Sequence, residues 1–377
     1  MRLLLLDQFS DPGGAQQGLL ELLPAIAERG WKALVGLAGE GELFQQVRAL
    51  GFEAERVECG PYASGGKSAQ DLARFLRRTP RLARQVRRLA ERIEADVVYI
   101  NGPRLLPAAA MAGLRAPVLF HAHSYLFPGA IRRLAGMSLR RLRAWVVGSC
   151  HFVAEPWTEY VEAGHLSVVY NGVAGPPGAV FRATLRPAGT NPVIGCLGRI
   201  APEKGQREFL AAASLIHREL PGCRFSIYGA ALFSEPGALR YYAEVRTAAA
   251  CLPVEFPGWV QDIYCALAQL DLVLVPSAAH EATTRVILEA FAAGVPVIAF
   301  RAGGIPEVVR EGVDGLLAGS TEEMARLAIE LLTGDPARLA AMSEAARASW
   351  RQRFTLDRYH REVLDTMAQV PGENRTD

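Results

Sequence analysis

Short runs of apolar residues alternate along this chain with longer stretches in which apolar positions recur every three or four residues. Runs of that length suit strands buried on both faces, and the periodic stretches suit amphipathic helices. Strands are predicted at 3–6, 33–37, 97–100, 118–120 and 145–147, with a second series at 193–196, 224–228, 272–275 and 295–299. Helices are predicted between them, among others at 16–28, 207–219 and 287–293. The repeated order of strand, helix and strand implies parallel sheets with right-handed crossovers. Each series is therefore expected to form a doubly wound, Rossmann-like α/β domain.

The two series part near 171–191, where Gly172, Gly175, Pro176, Pro177, Gly178, Pro187, Gly189 and Pro192 concentrate and the periodicity is lost, as in a linker. A length of 377 residues suits two domains, here 1–172 and 191–350 with 173–190 between them. Residues 372–377 read as a frayed end. Two such domains facing each other would leave a cleft at the carboxyl ends of their strands, where this architecture binds ligands.

Composition narrows the class. Half of the residues are apolar, 21% charged and 8% aromatic, as in soluble globular proteins. The first apolar run is stopped by Asp7, too early for a secretion signal, and no run approaches the roughly 18–20 residues of a membrane span. The six cysteines are scattered without a C-x-x-C pair, so a disulfide framework or zinc site is not expected and a cytoplasmic location fits. The net charge of +2 hides a split: 1–170 holds 21 basic and 16 acidic residues, the remainder 20 and 23. Two arginine-rich stretches cause it, eight arginines in 72–92 (interrupted by Pro80) and five in 131–143. They read either as solvated helix faces or as a basic surface for anionic lipid head groups, which would make the protein peripheral to the inner membrane face. Few aromatics are interleaved, so nucleic acid is not an expected partner.

The densest chemistry lies in 272–299. A strand ends at Pro276, a polar turn follows, and a helix runs to Gly294 with Pro296 just beyond. Thr283 or Thr284 can cap the helix through its hydroxyl. Glu281 precedes the helix and Glu289 lies within it, about 12 Å apart at 1.5 Å per residue. Unpaired N–H groups and a positive dipole end lie between them, an anion site flanked by two carboxylates. That matches the dimensions of a nucleotide-sugar; the alternative is a pair of solvated helix charges. Glu289 sits among Ile287, Leu288, Ala290 and Phe291, where a carboxylate needs a polar partner.

Arg199 and Lys204 sit in the loop after the first strand of the second domain, a place where such folds hold phosphates. A guanidinium fork and a mobile ammonium could neutralise a diphosphate without a metal. No Asp-x-Asp pair is present, and His121 and His123 lack obvious carboxylate or thiol partners, so neither metal nor cofactor is expected. In the first domain, Gly13 and Gly14 follow the opening strand and let backbone approach a ligand, though G-x-G-x-x-G is absent. A P-loop also fails, because Gly66 puts Lys67-Ser68 one residue out of register with Gly60. His123 follows a strand and is suited to exchanging protons or bonding a sugar hydroxyl near neutrality.

Together these segments resemble the retaining glycosyltransferases of family 4, two facing Rossmann-like domains in the GT-B fold. The family's glutamate pair with seven residues between is similar to Glu281 and Glu289, and its G-R-x-x-x-x-K-G segment to Gly198-Arg199…Lys204-Gly205. Its glycine turn, its histidine, its N-G-V and its G-G-I-P-E resemble Gly13-Gly14, His123, Asn171-Gly172-Val173 and 303–307. The tail 351–377 is similar to one that crosses back to the first domain. The resemblance implies Glu281 and His123 on the donor sugar, Glu289 on the ribose and Arg199 and Lys204 on the diphosphate. Gly13, Gly14, Asn171, Thr283 and Thr284 would complete the donor site. Where many members carry Gly or Pro, an aromatic and a Gly or Ser, this chain has Ala282-Thr283-Thr284, which bears on the identity of the sugar.

The expected activity is transfer of a sugar from a nucleotide-diphosphate donor (UDP- or GDP-linked) to a glycan, lipid-linked or small-molecule acceptor. It would proceed with retention, by front-face attack, with domain closure excluding water. A GT-B-like nucleotide-sugar epimerase and a catalytically silent binding or scaffold protein are the alternatives.

Overall fold

A computed structural model describes residues 1–11, 13–59, 69–177, 191–231, 236–277 and 280–373. Most of the expected linker, the 60–68 glycine segment and the last four residues of the expected frayed end lie outside these. The chain divides into two compact units, one of Met1–Tyr170 with Tyr359–Asp377, the other of Asn171–Arg358.

The first unit holds seven parallel strands: β1 (Arg2–Asp7), β2 (Lys32–Leu37), β3 (Glu53–Arg56), β4 (Val97–Asn101), β5 (Val118–Ala122), β6 (Trp145–Gly148) and β7 (Leu166–Val168). They are ordered β3-β2-β1-β4-β5-β6-β7. The second unit holds six: β8 (Val193–Leu197), β9 (Arg224–Tyr228), β10 (Val254–Gly258), β11 (Leu272–Val275), β12 (Val297–Phe300) and β13 (Leu316–Ala318). Their order is β10-β9-β8-β11-β12-β13. In each unit the first strand is central and the winding reverses beside it, at β1/β4 and at β8/β11. Ligands of doubly wound sheets bind outside the carboxyl ends there.

All nine predicted strands are present. The pattern misses β3, β7, β10 and β13, which stand at or beside sheet edges or are only three residues long. β3 reads Glu-Ala-Glu-Arg and no residue of it is fully buried, so it carries no apolar run. The central strands are buried along nearly their whole length, as with Leu3 to Asp7 in β1.

The helix Gly14–Glu28 buries Leu19, Leu22, Leu23 and Ile26 at helical spacing. Pro80 does not interrupt the arginine-rich stretch as expected; one helix runs Ala69–Ile93 through it. Thr79 donates its hydroxyl to Phe75 O at 2.8 Å in that turn. The helix Arg285–Ala293 stops where expected: Gly294 is left-handed, φ 70°, and a Cβ there would meet Arg347 Nε at 2.1 Å. The last helix, Leu356–Glu373, packs on the first unit from Tyr359 onward, with Arg29 donating to Asp365 at 2.7 Å.

Candidate active site

Each unit carries a cluster at the carboxyl ends of its strands. In the second unit the loop after β8 leaves the sheet at Gly198, φ 134°. Fully buried Gln206 braces it, donating to Arg199 O at 3.0 Å and accepting from Ala201 N at 3.3 Å. Gly205 closes the loop at φ 74°, and a Cβ there would stand 1.9 Å from Pro276 O, just past β11. Only glycine lets these two loops touch.

That contact brings Lys204 to Glu281: Nζ donates to Oε2 at 2.7 Å, with the side chains 23% and 16% exposed. The two groups expected on different parts of a donor are thus an ion pair in this structure. Glu281 is held by its backbone as well. Gly304 N donates to Glu281 O at 3.0 Å, and Gly303, at φ 53°, leaves room for that carbonyl that a Cβ would fill. Arg199 pairs with Glu203, four residues further along the same loop.

Glu289 has the polar partner its apolar surroundings call for, Arg285 Nε at 3.6 Å. Arg285 also donates to Gly172 O at 3.5 Å, and Asn171 Nδ2 to Thr283 Oγ1 at 3.4 Å, so the Asn171-Gly172 segment lies against the start of this helix. The capping expectation needs correction. Thr284 is the N-cap residue, but neither threonine hydroxyl accepts from a first-turn N–H. Thr283 uses its oxygen for Asn171 instead.

In the first unit, Gly13 is the extended N-cap of its helix and Gln17 N donates to its carbonyl at 2.8 Å. His123 stands just past β5, which runs two residues beyond its predicted end. Its ring lies 3.9 Å from that of His121, which shares a 2.6 Å hydrogen bond with Tyr99 through Nδ1. Burial pushes His123 down to about 3, so it is neutral at physiological pH and offers a hydrogen bond, with no proton to give as an imidazolium. This corrects the expectation of a group titrating near neutrality. Its Nε2 is buried without a hydrogen-bond partner among the described residues.

Sequence reasoning missed Gln206, Arg285, Asn101 and Gln16 and read Asp7 only as the residue that stops an apolar run. Asp7 and Gln16 are buried and bonded to each other. A charged residue closing a buried strand was the available signal. Among the described residues no group of three His, Cys, Asp or Glu side chains is arranged to hold a metal ion.

Two parallel-sheet Rossmann-like units with chemistry at their strand ends define the GT-B class of glycosyltransferase folds. Two family models match the chain, Glycosyltransferase Family 4 over 12–174 and Glycosyl transferases group 1 over 191–334, together well over half of it. The chain belongs to this glycosyltransferase family. It is 34% identical over 217 residues to D-inositol 3-phosphate glycosyltransferase of Segniliparus rotundus, covering 50% of this chain and 47% of the relative. It is 35% identical over 170 residues to the GDP-mannose-dependent monoacylated alpha-(1-6)-phosphatidylinositol monomannoside mannosyltransferase of Corynebacterium glutamicum, covering 42% of each. The matched segments span less than half the length of these relatives. The structure of Anabaena Alr3699/HepE in complex with UDP is 27% identical with a TM-score of 0.82, over 98% of this chain and 100% of that one. Its complex with UDP-glucose gives 0.81.

Proposed function

We propose that this chain is a glycosyltransferase that moves a sugar from a UDP- or GDP-sugar to a hydroxyl of a glycan, lipid-linked or small-molecule acceptor, with retention and without a metal ion. The observation that carries the reading is the Lys204–Glu281 pair on the loops after β8 and β11. Family membership, a GDP-mannose-dependent relative and a structural neighbour that holds UDP-glucose support a nucleotide-sugar donor.

As the bond to the donor diphosphate lengthens, negative charge grows on the leaving phosphate and positive charge on the anomeric carbon. Arg199, Lys204 and the N–H groups opening the helix Arg285–Ala293 stabilise the former. Lys204 turning toward phosphate frees Glu281 for the sugar hydroxyls. Neutral His123 adds a hydrogen bond to the sugar, and Glu289 takes the ribose. The acceptor oxygen attacks from the face the phosphate leaves, and the departing phosphate oxygen takes its proton, which retains configuration.

The test is nucleoside-diphosphate release from UDP-glucose and GDP-mannose with an acceptor panel, unchanged by chelator, with the product anomer read by NMR. Glu281→Gln should lower kcat/KM by about 100-fold, the size of losing one charge-stabilising contact. Epimerised free donor without acceptor would make the protein an epimerase. Wild-type glycan output from Glu281→Ala and His123→Ala would make it a silent binding protein.

The acceptor partner includes an anionic membrane surface. On the helix Ala69–Ile93, exposed Arg74, Arg77, Arg78, Arg81, Arg84 and Arg88 recur at three- and four-residue spacing, so they form one stripe. The helices Leu106–Met111 and Ala130–Leu142 pack in series beside it. They expose Met111, Ile131 and Met137 at 57%, 51% and 66%. Cations beside exposed apolar side chains suit lipid head groups over a free polyanion. Co-sedimentation with phosphatidylglycerol vesicles should be lost when the six arginines become glutamine; undiminished binding would end this part of the reading.

A further inference from the structure

The proposed reaction leaves the buried carboxylate of Asp7 without a task. Asp7 ends β1, is fully buried, and is the register partner of Asn101 on β4. Its oxygens accept from Phe9 N at 2.8 Å, from Gln16 Nε2 at 3.0 Å to each, and from Asn101 Nδ2. Asn101 Nδ2 also donates to Ala15 O at 3.2 Å. One side chain therefore governs three points of the strand-to-helix segment: the Phe9 amide directly, the Ala15 carbonyl through Asn101, and the Gln16 side chain.

Gly13 runs between those points. A Cβ on it would stand 2.6 Å from Gln16 Oε1, so the Gln16 amide is packed directly against the turn. Gln16 itself is 6% exposed and its amide is held by both oxygens of Asp7. Where Asp7 holds the Gln16 amide therefore decides where Gly13 and Gly14 pass. The donors that surround Asp7 are neutral amides, and burial raises its carboxyl to about 7. A neutral side chain would build a turn at lower desolvation cost, so a carboxylate retained here is set to a purpose beyond folding.

We propose that Asp7 is a positioning residue: through Gln16 and Asn101 it sets the path of the Gly13–Gly14 turn and thereby the affinity for the nucleotide-sugar. This rests on the reading that the turn meets the donor. The ionisable groups around Asp7 are Tyr99 on β4 and Cys59, both pushed up by burial, Cys59 to about 12, with Arg104 acting on Cys59. His121, which bonds Tyr99, is held neutral by burial. Of these groups Asp7 alone titrates near neutrality.

The full chain is assayed at about pH 8, where Asp7 is ionised, as wild type, Asp7→Asn and the double variant Asp7→Asn with Gln16→Glu, which exchanges carboxylate and amide. Donor KM, kcat, melting temperature and the Gly13 and Gly14 amide signals of the 15N-glycine-labelled protein are read. Asp7→Asn should raise donor KM about tenfold, the loss of one charge-assisted hydrogen bond, with kcat nearly unchanged. Its melting temperature should not fall, and the two glycine signals should move. The exchanged pair should restore KM to within about threefold. In wild type the same signals should shift between about pH 6 and 8, and in Asp7→Asn they should stay fixed. Unchanged KM with unmoved glycine signals would overturn the proposal, as would an activity loss carried by apparent kcat alone that tracks lost folded protein. If wild type turns over no nucleotide-sugar, the functional reading fails; the glycine signals alone then decide whether Asp7 sets the turn.

Discussion

Burial moves two titratable groups of the first unit in opposite directions. Asp7 is raised from 3.8 to about 7, so its contribution to stability is fully present below pH 3.8 and is lost as pH rises through 7. His123 is lowered from 6.5 to about 3, so its contribution is present above pH 6.5 and is lost as pH falls through 3. Asp7→Asn should therefore gain on wild type as pH climbs from 4 to 8, by on the order of 2–4 kcal/mol at the top. His123→Asn should instead flatten the acid side. Melting curves across that range check both, and an Asp7→Asn profile parallel to wild type would refute the first. Neither shift was legible in the sequence, because desolvation depends on what covers a side chain. Glu281 and Lys204 both stand out in the sequence as candidate site residues through their motifs. Their ion pair does not, since they lie 77 residues apart and meet where β8 pairs with β11 and Gly205 packs against Pro276.

Strands followed the pattern wherever the buried run reached four residues, and the buried three-residue β13 fell below that length. β1, β8 and β11 read as apolar runs because helices cover both faces of the sheet. The edge strand β3 did not, because a half-solvated edge tolerates Glu and Arg. Glycines at element ends carry the geometry between them. Gly205 and Gly30 have similar φ, 74° and 69°, but only Gly205 has backbone where a Cβ would go. Gly205→Ala should cost about 2–4 kcal/mol and disturb the Lys204–Glu281 pair, whereas Gly30→Ala should cost only the conformational penalty of about 1 kcal/mol. Chemical denaturation of both variants separates steric from conformational cost; equal losses would show that the loop after β11 yields.

At the scale of the whole molecule the first unit is discontinuous, completed by the last helix. Tyr359, Val363, Leu364, Met367 and Val370 are buried on it. Each such apolar side chain contributes about 1.5–3 kcal/mol, so ending the chain before Tyr359 should remove most of that unit's margin of about 5–15 kcal/mol. Hydrogen exchange should show β1 and β5 losing protection while β8 and β11 keep theirs; uniform loss would mean the two units unfold as one. The sequence by itself determined two parallel α/β units, the family, and the loops that carry Arg199, Lys204, Glu281 and His123. Periodicity and local motifs are properties of neighbouring residues, and those survive in a string of letters. The tertiary structure decided that Lys204 pairs with Glu281 and that Asp7 meets Gln16 and Asn101. Lys204–Glu281 and Asp7–Asn101 join segments distant in sequence, and only packing, with the desolvation it imposes, selects them.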